Sequence, residues 1–349
     1  MFDFVLFVVV LAVLIFGHEL GHFLAAKATG VKVEEFGLGF PPRLATLFNF
    51  HGTRFTLNAI PLGGFVRPAG EDDPDVPGGL ASAPKRVRTI VLLAGPIANI
   101  LLAFLAFTAA YKFAAPDPSK VIVTTVDPGS PAAQAGLQAD DLIVAAGGRA
   151  VDGFDTLQTV VNNHLGQPIS LTLDRNGKTV DVSLIPRANP PANEGPIGIT
   201  LGNPSKPEPL TDAVRLGWDS TAAQVAMIVR LPARLMEGQV QPSQARVSGL
   251  KGMYDMLAWA GRIDRTTQRP FLTLNLIGVI SIGLAIANLL PFPALDGGRL
   301  TFVAYEAVAG RRIAPRYEGL AHAIGFAVLL ILMLYVNFQD FINPIALPH

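Results

Sequence analysis

The chain has 349 residues, half of them hydrophobic, with 15% charged side chains and a mean hydropathy of +0.41. That is too apolar for one ordinary soluble domain and points to several membrane spans plus a smaller folded part. Basic and acidic residues balance at 27 each, so no basic field suits nucleic acid, and without cysteine any metal site must use nitrogen and oxygen ligands.

Four stretches are long and apolar enough to span a bilayer: about Phe4 to Ala26, Ile90 to Phe113, Phe271 to Leu290 and Leu320 to Val336. The first lacks a basic n-region and an A-x-A cleavage site, so it reads as a retained span rather than a secretory signal. Residues 27 to 89 carry eight Lys/Arg, and Arg299, Arg311, Arg312 and Arg316 cluster between spans three and four. The tails beyond the first and last spans carry none, so the positive-inside rule places both short loops in the cytoplasm and both termini outside. The long segment 114 to 270 is then extracytoplasmic.

The first span carries His18-Glu19-Leu20-Gly21-His22. One helical turn separates the histidines, so both imidazoles leave one face and can share a zinc, with Glu19 turned toward the water such a metal holds. A His-Glu-His cluster in so apolar a segment is expensive unless it has chemistry to perform. At about 1.5 Å per residue, the motif lies roughly 6 to 12 Å inside the cytoplasmic end at Ala26.

Between the first two spans, Thr53 to Ile60 reads as a strand, Pro61 to Gly64 as a turn, and Phe65-Val66 as the start of a second extended piece. Such a β-hairpin offers an open edge that could hold an extended substrate by strand addition. Phe36-Gly37-Leu38-Gly39-Phe40 has a Gly-Leu-Gly-Phe string, but Pro41-Pro42 follows where a pairing strand would be needed. Glu71 to Ser82 reads as an acidic, solvated loop. Span two opens with Gly95-Pro96-Ile97-Ala98-Asn99, which suits close packing on the motif helix and demands a polar partner for Asn99.

After span two, residues 120 to 186 read as a compact domain. Val121 to Val126 is a strand, a helix is expected from about Gly153 to His164, and alternating strands near Ile169 to Asp174 and Thr179 to Ile185. Ser130-Pro131-Ala132 to Gly136-Leu137 and Asp141-Leu142-Ile143 give this succession its resemblance to a bacterial PDZ domain, which implies peptide capture or a steric size filter. No carboxylate-binding loop is evident before Val121. Residues 187 to 208 read as a connector, and Leu210, Val214, Trp218, Ala222, Val225 and Ile228 form a helical stripe expected on the extracytoplasmic domain or at the membrane interface.

A catalytic zinc usually has three protein ligands and an open position, so two histidines are incomplete. Span three ends in Asn288-Leu289-Leu290-Pro291-Phe292-Pro293-Ala294-Leu295-Asp296-Gly297, whose prolines break the helix before a carboxylate, and Asp296 is the expected third ligand. These motifs, with Pro61-Leu62-Gly63-Gly64-Phe65-Val66 and Gly95 to Asn99, resemble the site-2 protease family, specifically its bacterial PDZ-containing intramembrane zinc metalloproteases of the regulator of sigma-E protease type. The resemblance implies zinc on His18, His22 and Asp296, Glu19 as general base, and Asn288 touching the substrate strand. It implies single-span substrates such as membrane-spanning anti-sigma factors, and the sequence leaves leftover signal peptides and peptide-pheromone precursors open as well. Two departures stand out: one PDZ domain where the best-known Gram-negative members have two, and Leu250 after Val247-Ser248-Gly249 where relatives usually have proline.

The expected fold is a polytopic α-helical membrane protein with four transmembrane helices, a cytoplasmic-side membrane-associated β-hairpin and one extracytoplasmic PDZ domain. Its parts are an N-terminal membrane half (1–113), the PDZ domain (114–190), a connector with an amphipathic helix (191–270) and a C-terminal membrane half (271–349). The expected function is Zn2+-dependent cleavage within the span of single-span membrane proteins in the bacterial inner membrane, toward the cytoplasmic side. The competing class is a membrane-tethered PDZ adaptor with a non-catalytic metal site, against which Glu19 argues, because a structural site needs no base. A transporter fits poorly, since matching halves with paired broken helices are missing. His322 reads as an interfacial residue, and His51 and His164 as non-catalytic.

Overall fold

The computed structural model describes every residue except 192–193, 241–245, 268, 346 and 348–349, with the backbone alone at 61–62. Part of the expected connector lies at 192–193, outside the described residues. The chain forms two units: residues 1–109, 214–262 and 272–349, and residues 110–213 with 263–271.

The first unit begins with α1, Phe2–Ala28, followed by β1, Val33–Phe50, β2, Thr53–Pro68, and α2, Lys85–Ala114, which runs on into the second unit. β1 extends through Pro41-Pro42, contrary to the expectation that these prolines end any pairing there. The reason is local: the register shifts between Phe40 and Arg43, so the prolines occupy an irregularity where no ladder N–H is required. β1 and β2 fold on each other so that Glu35 to Leu38 pair with both Arg54 to Leu57 and Gly64 to Arg67. Glu35 is buried in this sheet and accepts from Arg43, Arg67 and Thr56, which compensates its burial. The outward stretch of β1 leaves Leu44, Leu47, Phe48 and Phe50 exposed.

The second unit holds β3 (Val121–Val126), α3 (Pro131–Gln134), β4 (Leu142–Ala146), β5 (Arg149–Ala150), α4 (Phe154–Asn163), β6 (Ile169–Arg175), β7 (Lys178–Leu184) and β8 (Ile199–Gly202). Its sheet runs β7-β6-β4-β3-β8, with β5 paired to β4. β8, from the stretch read as connector, pairs with β3 at the sheet's edge. Ser130 caps α3 by accepting from the Ala133 N–H, and Pro131 follows where its missing N–H costs nothing. The core is Val121, Val123, Ile143, Leu157, Leu171 and Leu173 with their neighbours. Asp141, fully buried, takes a two-pronged bond from Arg175 and one from the Gln138 N–H. Burial alone would raise its carboxyl, but the Arg175 guanidinium and the Gln138 N–H outweigh that and hold it below the ordinary value.

Further along the chain, α5 (Leu210–Met236) and α6 (Leu250–Thr267), which lie in the first unit from Val214 to Arg262, precede α7 (Phe271–Leu289), α8 (Asp296–Ala309) and α9 (Pro315–Ile342). α1, α2, α7 and α9 are the four helices long and apolar enough to cross a membrane. The striped helix α5 packs on two of them: Val225 and Ile228 join Ala103, Phe107 and Ile282, and a Cβ at Gly217 would meet the Thr108 hydroxyl at 2.3 Å. Trp218 stays exposed with its edge to Phe104. α6 is tied to α9 by Asp340, which accepts from the Gly249 and Gly252 N–H groups and from Arg246. Leu250 is the first residue of α6, a position that also accommodates proline because that N–H needs no helical partner.

Candidate metal centre

The α1 motif is brought against α2 by glycine on both sides. A Cβ on Gly21 would lie 2.4 Å from the Ala94 carbonyl oxygen, and one on Gly95 would lie 2.3 Å from His22 Nε2 and 2.8 Å from His18 Cε1. Helices approach this closely only where side chains are missing. α7 then breaks at Leu289, and the chain reverses through Pro291 to Leu295 before α8 opens with Asp296. A carboxylate in the first turn of a helix is favoured by the unpaired N–H groups there.

These elements bring the three expected ligand residues together. His18 and His22 stand edge to face with ring centroids 4.7 Å apart, and their Nε2 atoms lie 3.1 Å from each other. Asp296 Oδ2 lies 3.2 Å from His18 Nε2 and 3.3 Å from His22 Nε2. His22 Nδ1 donates to the Val91 carbonyl at 2.8 Å, and since a carbonyl only accepts, the lone pair of the neutral ring sits on Nε2. The His22 lone pair, His18 Nε2 and a carboxylate oxygen thus converge on one small volume, a set of donors that suits a cation among them. The donor set, two nitrogens and one oxygen with an open side, fits a catalytic zinc and not a closed structural one.

Glu19 faces the same pocket, a cavity of about 270 Å³ also lined by Phe65, Val66, Asn288 and Arg299. Its Oε2 accepts the Val66 N–H of β2 at 3.0 Å, a bond between helix and sheet that local sequence could not disclose. Asn288 lines the pocket from the last turn of α7, and its amide makes no hydrogen bond among the described residues. Asn99, fully buried, lies with its Nδ2 position 3.4 Å from His18 Nδ1 and its Oδ1 unpartnered, so turning the amide over supplies His18 with an acceptor. The acidic loop read as solvated in fact bridges to the site's rim: Glu71 and Asp72 each lie 3.1 Å from Arg299 Nη1. Burial pushes the Glu71 carboxyl above its ordinary value against the pull of Arg299. His51 and His164 lie outside the group of His18, His22 and Asp296.

A match to peptidase family M50 spans residues 6–332. The chain belongs to peptidase family M50. It is similar to the zinc metalloprotease RasP of Oceanobacillus iheyensis, at 30% identity over 96% of this chain and 98% of the relative. RasP of Geobacillus kaustophilus is 28% identical over 96% of each chain, and the metalloprotease MmpA of Caulobacter vibrioides 30% over 95% of this chain and 93% of its own length. With four helices able to cross a bilayer, this M50 peptidase is a multi-pass membrane protein.

Proposed function

We propose that this M50 peptidase is an intramembrane zinc metalloprotease that hydrolyses a peptide bond inside the transmembrane segment of single-span membrane proteins. The observation that carries the reading is the convergence of His18, His22 and Asp296 beside a Glu19 held by a backbone N–H, with the histidines and Glu19 inside an apolar helix long enough to cross a membrane. His18, His22 and Asp296 would hold the zinc. Bound there, zinc supplies Lewis acidity, polarising a carbonyl and lowering the pKa of water.

The chain's own groups do the rest. Glu19 takes a proton from the attacking water and delivers it to the leaving nitrogen, with Val66 N–H holding its other oxygen in place. A helical substrate hides its peptide bonds, so the scissile stretch must unwind. The Gly64 to Arg67 stretch, which lies along the cavity and pairs with Glu35 to Leu38, offers a strand edge for it, and the unpaired Asn288 amide a polar contact. The positive-inside rule, applied to the basic loops, supports a site on the cytoplasmic side of a bacterial inner membrane with both termini outside. The second unit, 110–213 with 263–271, we read as a PDZ domain that screens or captures substrates outside the membrane, with the β8 edge available for strand addition.

The test compares wild type with Glu19→Gln, purified in detergent, on a single-span model substrate, with bound zinc assayed in both. Cutting within the span by wild type, with a loss of about 10²- to 10⁴-fold and unchanged zinc in the variant, is expected. Equal cutting removes Glu19 as the base; retained zinc with no cutting by either protein favours a PDZ adaptor instead.

A further inference from the structure

Two residues before Asp296 the backbone takes an unusual turn. Ala294 has φ +77°, a left-handed conformation that residues with a Cβ rarely adopt and that persists only where the surroundings enforce it. What enforces it is α9. The Ala294 N–H donates to His322 Nδ1 at 2.8 Å, and the His322 ring packs edge-on against Phe302 of α8, with centroids 5.4 Å apart. One turn further along α9, buried Gly325 lets the Pro293 carbonyl come so close that a Cβ there would lie 2.5 Å from its oxygen. α9 therefore grips two consecutive residues of the α7–α8 connection just ahead of the carboxylate at the metal centre. His322 is not one of the converging side chains, so nothing in the ligand geometry accounts for a histidine at this point.

We propose that His322 is a positioning residue: as acceptor for the Ala294 N–H it holds the left-handed turn that sets where Asp296 enters the metal centre. The proposal rests on Asp296 being a zinc ligand. Metal sites tolerate errors of about 0.2 Å, and loss of an outer partner typically lowers metal affinity about 10- to 100-fold. A turn that relaxes by one backbone dihedral moves the carboxylate further than that tolerance. The role needs an acceptor at Nδ1, and it needs the imidazole ring only to carry that acceptor.

The experiment measures zinc affinity of the full-length, metal-stripped protein in detergent by competition with a chelating indicator, alongside helix content. His322→Phe keeps an aromatic ring against Phe302 and removes the acceptor; His322→Asn keeps an acceptor near the Nδ1 position and removes the ring. Expected are a fall of about 10- to 100-fold for His322→Phe and less than about threefold for His322→Asn. Adding Ala294→Gly to His322→Phe should recover about tenfold, because glycine takes the left-handed turn without enforcement. Wild-type affinity in His322→Phe overturns the proposal, and so does a fall in His322→Asn as large as or larger than that in His322→Phe, because keeping the acceptor without the ring would then fail to preserve the turn. Asp296→Ala is run in parallel. If it binds zinc like wild type, the ligand reading fails and the proposal with it; if it loses zinc while His322→Phe keeps it, only the positioning role fails.

Discussion

Replacing Gly95 by alanine sets two physical effects against each other. Within α2, alanine is favoured over glycine by about 1 kcal/mol, so local propensity predicts a slightly firmer helix. Against it stands the new Cβ, 2.3 Å from His22 Nε2 and 2.7 Å from His22 Cε1. Ordinary contact begins near 3.4 Å, so the imidazole or the helix must retreat by about 1 Å. The clashing atom is the nitrogen that carries the lone pair, and a metal site accepts only about 0.2 Å of displacement. Swinging His22 away also breaks its 2.8 Å bond to the Val91 carbonyl. Packing therefore wins over propensity: Gly95→Ala should lose at least about 100-fold in cleavage and most of its zinc, while α-helix content and detergent extraction stay at wild-type levels. Zinc stoichiometry with cleavage of a single-span substrate decides it. A Gly95→Ala protein that holds one zinc and cuts at the wild-type rate would refute the claim that the two histidines work in the positions described.

Two further outcomes concern the second unit. Leu171 on β6 is fully buried in the core, so Leu171→Ala should cost about 2–5 kcal/mol, read as faster hydrogen exchange of β3, β4 and β6 amides; unchanged exchange would mean the core closes over the cavity. Asp141 has its carboxyl held below the ordinary value of 3.8, so its contribution is fully present above that value and is lost as pH falls through the depressed folded one. Acidification below about pH 4 should then weaken the unit in wild type, and Asp141→Asn should flatten that part of the pH dependence; an identical acid profile would remove Asp141 from the account.

What the sequence alone determined was whatever repeats within a turn or a span. The four-residue step from His18 to His22 puts two rings on one face whatever surrounds them, and the four apolar runs became α1, α2, α7 and α9 with ends shifted by a few residues. The strands of the second unit were legible from alternation, as β3, β6 and β7 attest. Gly95 to Asn99 announced close packing, but not that Asn99 would stand beside His18. Other features depended on partners far along the chain. β1 runs through two prolines because its ladder is interrupted there, α8 begins with glycines that argue against a helix, and β8 is too short to declare itself without β3. The Glu19–Val66 bond spans 47 residues and the Ala294–His322 bond 28. Helical period is a property of the covalent chain, so the motif can be read locally. The direction in which Asp296 points is decided by a strained turn held from another helix, and only the tertiary structure contains that contact.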